Sequence, residues 1–204
     1  MIVLGLTGSI GMGKSTAAKL LRQLRVPVSD ADAIVHDLIG LGGSAVPAVD
    51  DAFPGVVSKG TVDRAALGVL VFGDAAALKR LEDILHPLVE AARDRFLKQS
   101  RRARIKVVAL DIPLLYEVAA DELCNATIVV SAPFFVQSGR VLARPNMTQE
   151  KLKDILSRQM SDLEKRRRAT FVIPSGTGRR TTLQALSRIV KMARKGRLSP
   201  TRRR

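Results

Sequence analysis

Hydrophobic positions fall into short unbroken runs separated by longer stretches with helical spacing. Ile2-Val3-Leu4-Gly5-Leu6-Thr7, Val107-Val108-Ala109-Leu110 and Thr127-Ile128-Val129-Val130 carry neither charge nor alternation. That is the pattern of strands covered on both faces. With two further apolar runs they predict strands at 2–7, 26–29, 105–110, 126–130 and 171–173. Thr16-Ala17-Ala18-Lys19-Leu20-Leu21-Arg22-Gln23-Leu24 repeats apolar residues at helical spacing. So does 180–195, where Leu183, Leu186, Ile189, Val190 and Ala193 share one side. Strands alternating with helices predict an α/β fold of three layers around a parallel five-stranded sheet.

The second and third strands are separated by far more chain than a crossover needs. Residues 33–102 read as helices at 33–40, 45–52, 63–72, 75–84 and 87–101, an inserted helical subdomain. Pro54-Gly55 and Lys59-Gly60 mark a loop inside it, and Pro87 suits the first turn of a helix. After the fourth strand, 134–144 and 149–158 look helical, with Arg144-Pro145-Asn146-Met147 as the break. Segment 161–168 is dense in charge.

The chain of 204 residues suits one domain with an insertion, expected over 1–196, followed by a basic, disordered tail at 197–204. A domain of this size encloses roughly 70% of the surface its unfolded chain exposes, so it requires neither disulfides nor a structural metal. The single cysteine, Cys124, reads as an inert buried thiol. No charged region with a cleavage site precedes the first strand, and no run of about 18 apolar residues occurs. A cytoplasmic protein without a membrane partner is expected, as a monomer or weak homo-oligomer. The net charge is +15, yet residues 179–204 hold ten Arg and Lys and no acid, leaving 24 basic against 19 acidic residues elsewhere. No specific nucleic-acid partner is read from this charge, because base recognition needs more than charge.

Gly8-Ser9-Ile10-Gly11-Met12-Gly13-Lys14-Ser15 follows the first strand and opens the first helix. It matches G-x-x-x-x-G-K-[ST], the phosphate-binding P-loop. Glycines let the backbone curl so that N–H groups point at phosphate oxygens. Lys14 supplies charge for the outer phosphates, the Ser15 hydroxyl is placed for Mg²⁺, and the helix start is positive. A glycine-rich turn without a ligand is the plain alternative, and the flanking strand and helix argue against it.

Asp30-Ala31-Asp32 ends the second strand. Ligands of open α/β sheets sit beyond the carboxyl ends of the strands, so a strand neighbouring the first would bring these acids to the terminal phosphate. In extended chain Asp30 and Asp32 share a side. Asp30 would then orient Mg²⁺ through water, and Asp32 would accept the proton of an attacking hydroxyl. Alternatively, Asp32 caps the next helix. A carboxylate base suits a hydroxyl acceptor, since a phosphate acceptor is already ionised. Asp111 ends an apolar strand, either as a further Mg²⁺ ligand or as a turn residue before Pro113. Arg140 and Arg144, four apart, form either a clamp on the moving phosphoryl group or a solvated basic face. His36 and His86 lack metal-ligand spacing, and His86-Pro87 reads as a helix start or a substrate contact. No N-K-x-D occurs, and Asp37-Leu38-Ile39-Gly40 matches D-x-x-G inside a predicted helix. A kinase for another small hydroxyl substrate, such as a nucleoside, and a GTPase-like RNA-associated protein remain the alternatives.

Segment 8–16, Asp30-Ala31-Asp32, Leu85-His86-Pro87, Asp111-Ile112-Pro113-Leu114-Leu115-Tyr116-Glu117, and Gln137 with Arg140 and Arg144 occur in that order. Together they resemble the dephospho-CoA kinase family, from residue 1 to about 195. The resemblance implies a P-loop NTPase fold with a substrate-binding insertion and a lid (about 134–158). It also implies transfer of the ATP γ-phosphoryl group to the ribose 3′-hydroxyl of dephospho-CoA. Gly11, Met12, Gly13, Lys14, Ser15 and Thr16 would bind ATP, Asp32 would be the base, and Arg140 and Arg144 would belong to the lid. Arg64, His86 and Leu115 fall in patches that meet substrate. Ser138-Gly139 stands where such lids often carry further basic residues, and Pro174-Ser175-Gly176 where many relatives have an acidic or Asn residue.

Overall fold

In the computed structural model, which describes residues 1–198, the elements run in chain order as follows. β1 (Ile2–Thr7), α1 (Lys14–Gln23) and β2 (Val28–Asp30) are followed by α2 (Ala31–Ile39), α3 (Val46–Ala52), β3 (Val57–Ser58), β4 (Thr61–Val62), α4 (Arg64–Val71) and α5 (Ala75–Arg102). Then come β5 (Val107–Asp111), β6 (Ala126–Ser131), α6 (Phe134–Leu142), α7 (Gln149–Ser157), α8 (Asp162–Arg168), β7 (Phe171–Pro174) and α9 (Arg179–Arg194). The chain divides into two units, one of Met1–Ser29 with the residues from Ala103 onward, the other of Asp30–Arg102.

In the first unit, five strands form one sheet in the order β2-β5-β1-β6-β7. β1 pairs in parallel with β5, Leu6 opposite Asp111, and with β6, Thr7 opposite Val129. The order corrects one expectation: β2 is not the neighbour of β1, because β5 lies between them. β2 also starts two residues late. The Val26 N–H closes α1 on the Leu21 carbonyl, and Pro27, which has no N–H, pairs with β5 only through its carbonyl. Leu20 and Leu21 of α1 and Leu186, Ile189 and Val190 of α9 are buried in one core with Leu4, Leu6, Val107, Ile128 and Val130. Full burial of each such side chain is worth about 1.5–3 kcal/mol. Leu198 is 9% exposed and belongs to this core, so the chain is still packed at the second residue of the expected tail. Residues 199–204 lie outside the described residues. The charged segment after α7 is a helix, α8, started by a reciprocal capping box between Ser161 and Glu164.

The second unit encloses Ile39, Val46, Val49, Phe53, Val62, Leu67 and Leu81. Its expected Lys59-Gly60 loop is the turn of a β3–β4 hairpin, with φ of 53° and 74° at the two positions. A two-residue turn with both centres left-handed matches the strand twist. The helix break at Pro87 does not occur: α5 runs from Ala75 to Arg102 with Pro87 inside it. Pro87 offers no N–H to the Asp83 carbonyl, at a cost of about 3 kcal/mol. Burial of Leu81 and Leu97 on either side offsets that, at about 1.5–3 kcal/mol each.

Candidate active site

The phosphate loop connects β1 to α1 at the carboxyl end of the sheet. Gly11 and Gly13 have φ of 75° and 88°, a region closed to most side chains. A Cβ on Gly11 would also stand 2.5 Å from Val141 Cγ2 and 2.9 Å from the Gln137 carbonyl. α1 starts with neither a side-chain cap nor an acid in its first turn, which leaves its positive end for an anion. Met12, expected among the nucleotide-binding residues, plays another part. Its N–H is given to the Ser9 carbonyl at 3.1 Å, and its buried side chain receives the Ala132 N–H at sulfur. Its side chain is the floor of the loop.

Lys14 Nζ lies 2.8 Å from Asp111 Oδ1, with side-chain exposures of 14% and 2%. The pairing of β1 with β5 brings about this contact, placing Asp111 beside the strand that enters the loop. Asp111 is thus the strand-end carboxylate adjacent to the P-loop. Ser15 and Thr16 lie exposed in the first turn of α1.

Side chains distant in sequence brace the loop from outside. Gln137 Nε2 donates to the Ile10 carbonyl at 2.8 Å, and the Ile10 N–H donates to Gln159 Oε1 at 3.1 Å. Arg140 donates to the Ser175 carbonyl at 2.7 Å, to Ser175 Oγ at 3.1 Å and to the Gly11 carbonyl at 3.4 Å. Ser175 Oγ in turn donates to the Met12 carbonyl. Arg140 therefore reaches the loop, whereas Arg144 does not share its helix face. α6 ends at Leu142 and Arg144 is exposed beyond it, because the residue before Pro145 disfavours helical backbone.

Behind the loop is an ion pair that the spacing did not announce. Lys165 is fully enclosed, with Nζ 2.9 Å from Glu117 Oε1 and 3.1 Å from the Pro113 carbonyl. That carbonyl also accepts from Thr7 Oγ1 at 2.8 Å, and Glu117 Oε1 accepts the Met160 N–H at 2.8 Å. Burial alone raises the Glu117 carboxyl. The Lys165 and Met160 donors outweigh it, and the group stays below its ordinary value. Leu115, expected to meet substrate, is fully buried. Its Cδ2 would lie 2.9 Å from a Cβ on Gly5, so its side chain belongs to the core rather than to a substrate surface.

Asp30, Asp32, Arg64 and His86 lie in the second unit. Asp30, not Asp32, caps α2, its Oδ1 accepting the Ala33 N–H at 3.2 Å. Asp32 is in the first helical turn and exposed, so the extended-chain argument for a shared side fails. Its helical neighbour four residues on is His36, whose Nδ1 is 3.5 Å from Arg64 Nη1. His86 is exposed in the middle of α5 and starts no helix. Asp37-Leu38-Ile39-Gly40 closes α2 rather than following a strand. Among the described residues no group of three or more His, Cys, Asp or Glu is placed to hold a metal by itself.

The family model for dephospho-CoA kinase matches residues 2–179. The chain is similar to a dephospho-CoA kinase from Paramagnetospirillum magneticum, 63% identical over 81% of this chain and 78% of that one. It is also similar to one from Rhodospirillum rubrum, 52% identical over 96% and 93%. A crystal structure of a Thermus thermophilus protein superposes with a TM-score of 0.79 at 36% identity, covering 93% of this chain and 96% of the other. A dephospho-CoA kinase structure from Campylobacter jejuni shares the fold, with a TM-score of 0.64 at 24% identity over 95% and 98%. With a phosphate loop, a lysine held on a strand-end aspartate and a family match along most of its length, the chain belongs to the dephospho-CoA kinase family.

Proposed function

We propose that this protein transfers the γ-phosphoryl group of ATP to the ribose 3′-hydroxyl of dephospho-CoA, giving coenzyme A and ADP, the last step of coenzyme A biosynthesis. The observation that carries the mechanism is the Lys14–Asp111 contact at the mouth of the loop, in a chain of this family. The loop residues Gly11, Met12, Gly13, Lys14, Ser15 and Thr16 hold the nucleotide's phosphates, and the positive end of α1 favours them there. Lys14 neutralises charge on the transferred group, and Arg140, already at the Gly11 carbonyl, adds a second cation. Arg144 serves the nucleotide from the lid segment. Asp32 takes the proton of the attacking hydroxyl, and Arg64 and His86 meet the acceptor.

The oxygen donors at the loop fit Mg²⁺. Ser15 offers a hydroxyl and Asp111 a carboxylate, and this ion usually combines one or two such ligands with phosphates and water. When bound, it offsets charge on the phosphate oxygens. Asp30, engaged as the α2 cap, keeps at most a water-mediated part. Among the described residues no helix is long and apolar enough to cross a membrane. Cytoplasmic residence and a monomeric or weakly associating state complete the proposal.

The test is ADP release by purified protein with Mg²⁺ and ATP, offered dephospho-CoA, nucleosides or shikimate in turn. Stimulation by dephospho-CoA alone is expected. No stimulation by it, or a stronger response to a nucleoside, overturns the assignment.

A further inference from the structure

A phosphate loop works only if its N–H groups already point inward. A trans peptide is planar, so the carbonyl of one residue and the N–H of the next point in opposite directions. Whatever holds a loop carbonyl outward therefore aims the following N–H inward. Gln137 Nε2 holds the Ile10 carbonyl at 2.8 Å, which aims the Gly11 N–H. Ser175 Oγ holds the Met12 carbonyl, which aims the Gly13 N–H. Gln159 Oε1 takes the Ile10 N–H itself at 3.1 Å, so the inward set begins at Gly11. The backbone partners decide the amide orientations: a carbonyl needs the Gln137 NH₂, and an N–H needs the Gln159 oxygen. Gln137 is 4% exposed and Ser175 is 9% exposed, so both bonds are shielded from competing water. The three side chains come from α6, from the segment after α7 and from the residue that follows β7.

We propose that Gln137, Gln159 and Ser175 are positioning residues that hold the phosphate loop in its anion-binding form before nucleotide arrives. The inference rests on the nucleotide reading above. Preorganisation of this kind lowers the ordering cost of binding. Its loss appears as weaker affinity for the polyphosphate, not for the acceptor.

The probes are inorganic tripolyphosphate, as an inhibitor competing with ATP, and the acceptor's KM. Gln137→Glu removes the donor to Ile10, whereas Gln159→Glu keeps an acceptor for the Ile10 N–H. Each places one negative charge beside the same loop, so the difference between them reads the hydrogen bond. Ser175→Ala removes a hydroxyl without adding charge. We expect the tripolyphosphate Ki to rise at least about threefold in Ser175→Ala, which loses the bond to Met12 and the one from Arg140, with KM for the acceptor unchanged. In Gln137→Glu the Ki rises at least about threefold further than in Gln159→Glu. Equal Ki values in Gln137→Glu and Gln159→Glu, or wild-type Ki in Ser175→Ala, overturn the brace while leaving the kinase reading intact. So does a Ki that changes only near a variant's melting temperature. If the unaltered protein binds neither tripolyphosphate nor ATP, the nucleotide reading falls and the brace falls with it.

Discussion

Removing either partner of the Glu117–Lys165 pair destabilises the protein, and removing the acid costs more. Lys165 is wholly enclosed, whereas the Glu117 side chain keeps 19% of its exposure. Glu117→Leu strands an ammonium with one remaining oxygen, the Pro113 carbonyl at 3.1 Å. A charge left unpaired in such a place costs about 3–5 kcal/mol. Lys165→Met instead leaves a carboxylate that can reach water and keeps the Met160 N–H, while the Pro113 carbonyl keeps the Thr7 hydroxyl. The loss is then near that of one charged hydrogen bond, about 1.5–3 kcal/mol. At roughly 2–4 °C per kcal/mol for a chain of this size, Tm falls by about 6–20 °C in the first variant and about 3–12 °C in the second.

The pH dependence separates this account from simple loss of packing. In the unaltered protein Glu117 titrates below its ordinary 4.5. The stability it contributes is present above that value and is lost as pH falls through the lower folded one. Urea unfolding followed by circular dichroism at pH 3, 4, 5 and 7 measures this effect. If Lys165→Met proves the less stable variant, or if Glu117→Leu loses as much stability below pH 4.5 as the unaltered protein does, the reasoning is wrong.

Three further outcomes are expected. Lys14→Ala lowers kcat by about 10³-fold or more, because Lys14 meets charge that develops in transfer; steady-state rates with a Tm control check it, and near-normal turnover removes Lys14 from the mechanism. Asp32→Asn lowers kcat by about 10²–10⁴, the usual share of a general base, with KM for ATP little changed; a rise in KM alone makes Asp32 a binding residue. Deleting 199–204 leaves Tm and turnover unchanged. Deleting 198–204 also removes Leu198 from the core and costs about 1.5–3 kcal/mol, read as a drop in Tm.

Local rules, which need only neighbouring residues, explain what was legible in the chain. Uncharged runs made the strands of a two-sided sheet, glycine spacing made the phosphate loop, and apolar periodicity made α1 and α9. Two other local signals were present: the Ser161–Glu164 box that starts α8, and the Lys59-Gly60 pair, legible as a loop, that turns β3 into β4. Strand order obeyed no local rule. Only the sheet put β5 between β1 and β2, which brought Asp111 to Lys14. Leu115 looked like a site residue by its motif and became core because Gly5 leaves room for it. Gln159 and Lys165 carried no pattern, and the patterns around Gln137 and Ser175 did not show what those side chains hold, since each acts on a backbone group or side chain far away in the sequence. A hydrogen bond is decided by where two atoms meet in space. The chain alone therefore determined most of the elements and where the glycine-rich loop lies, and the packed structure determined which side chains hold that loop in place.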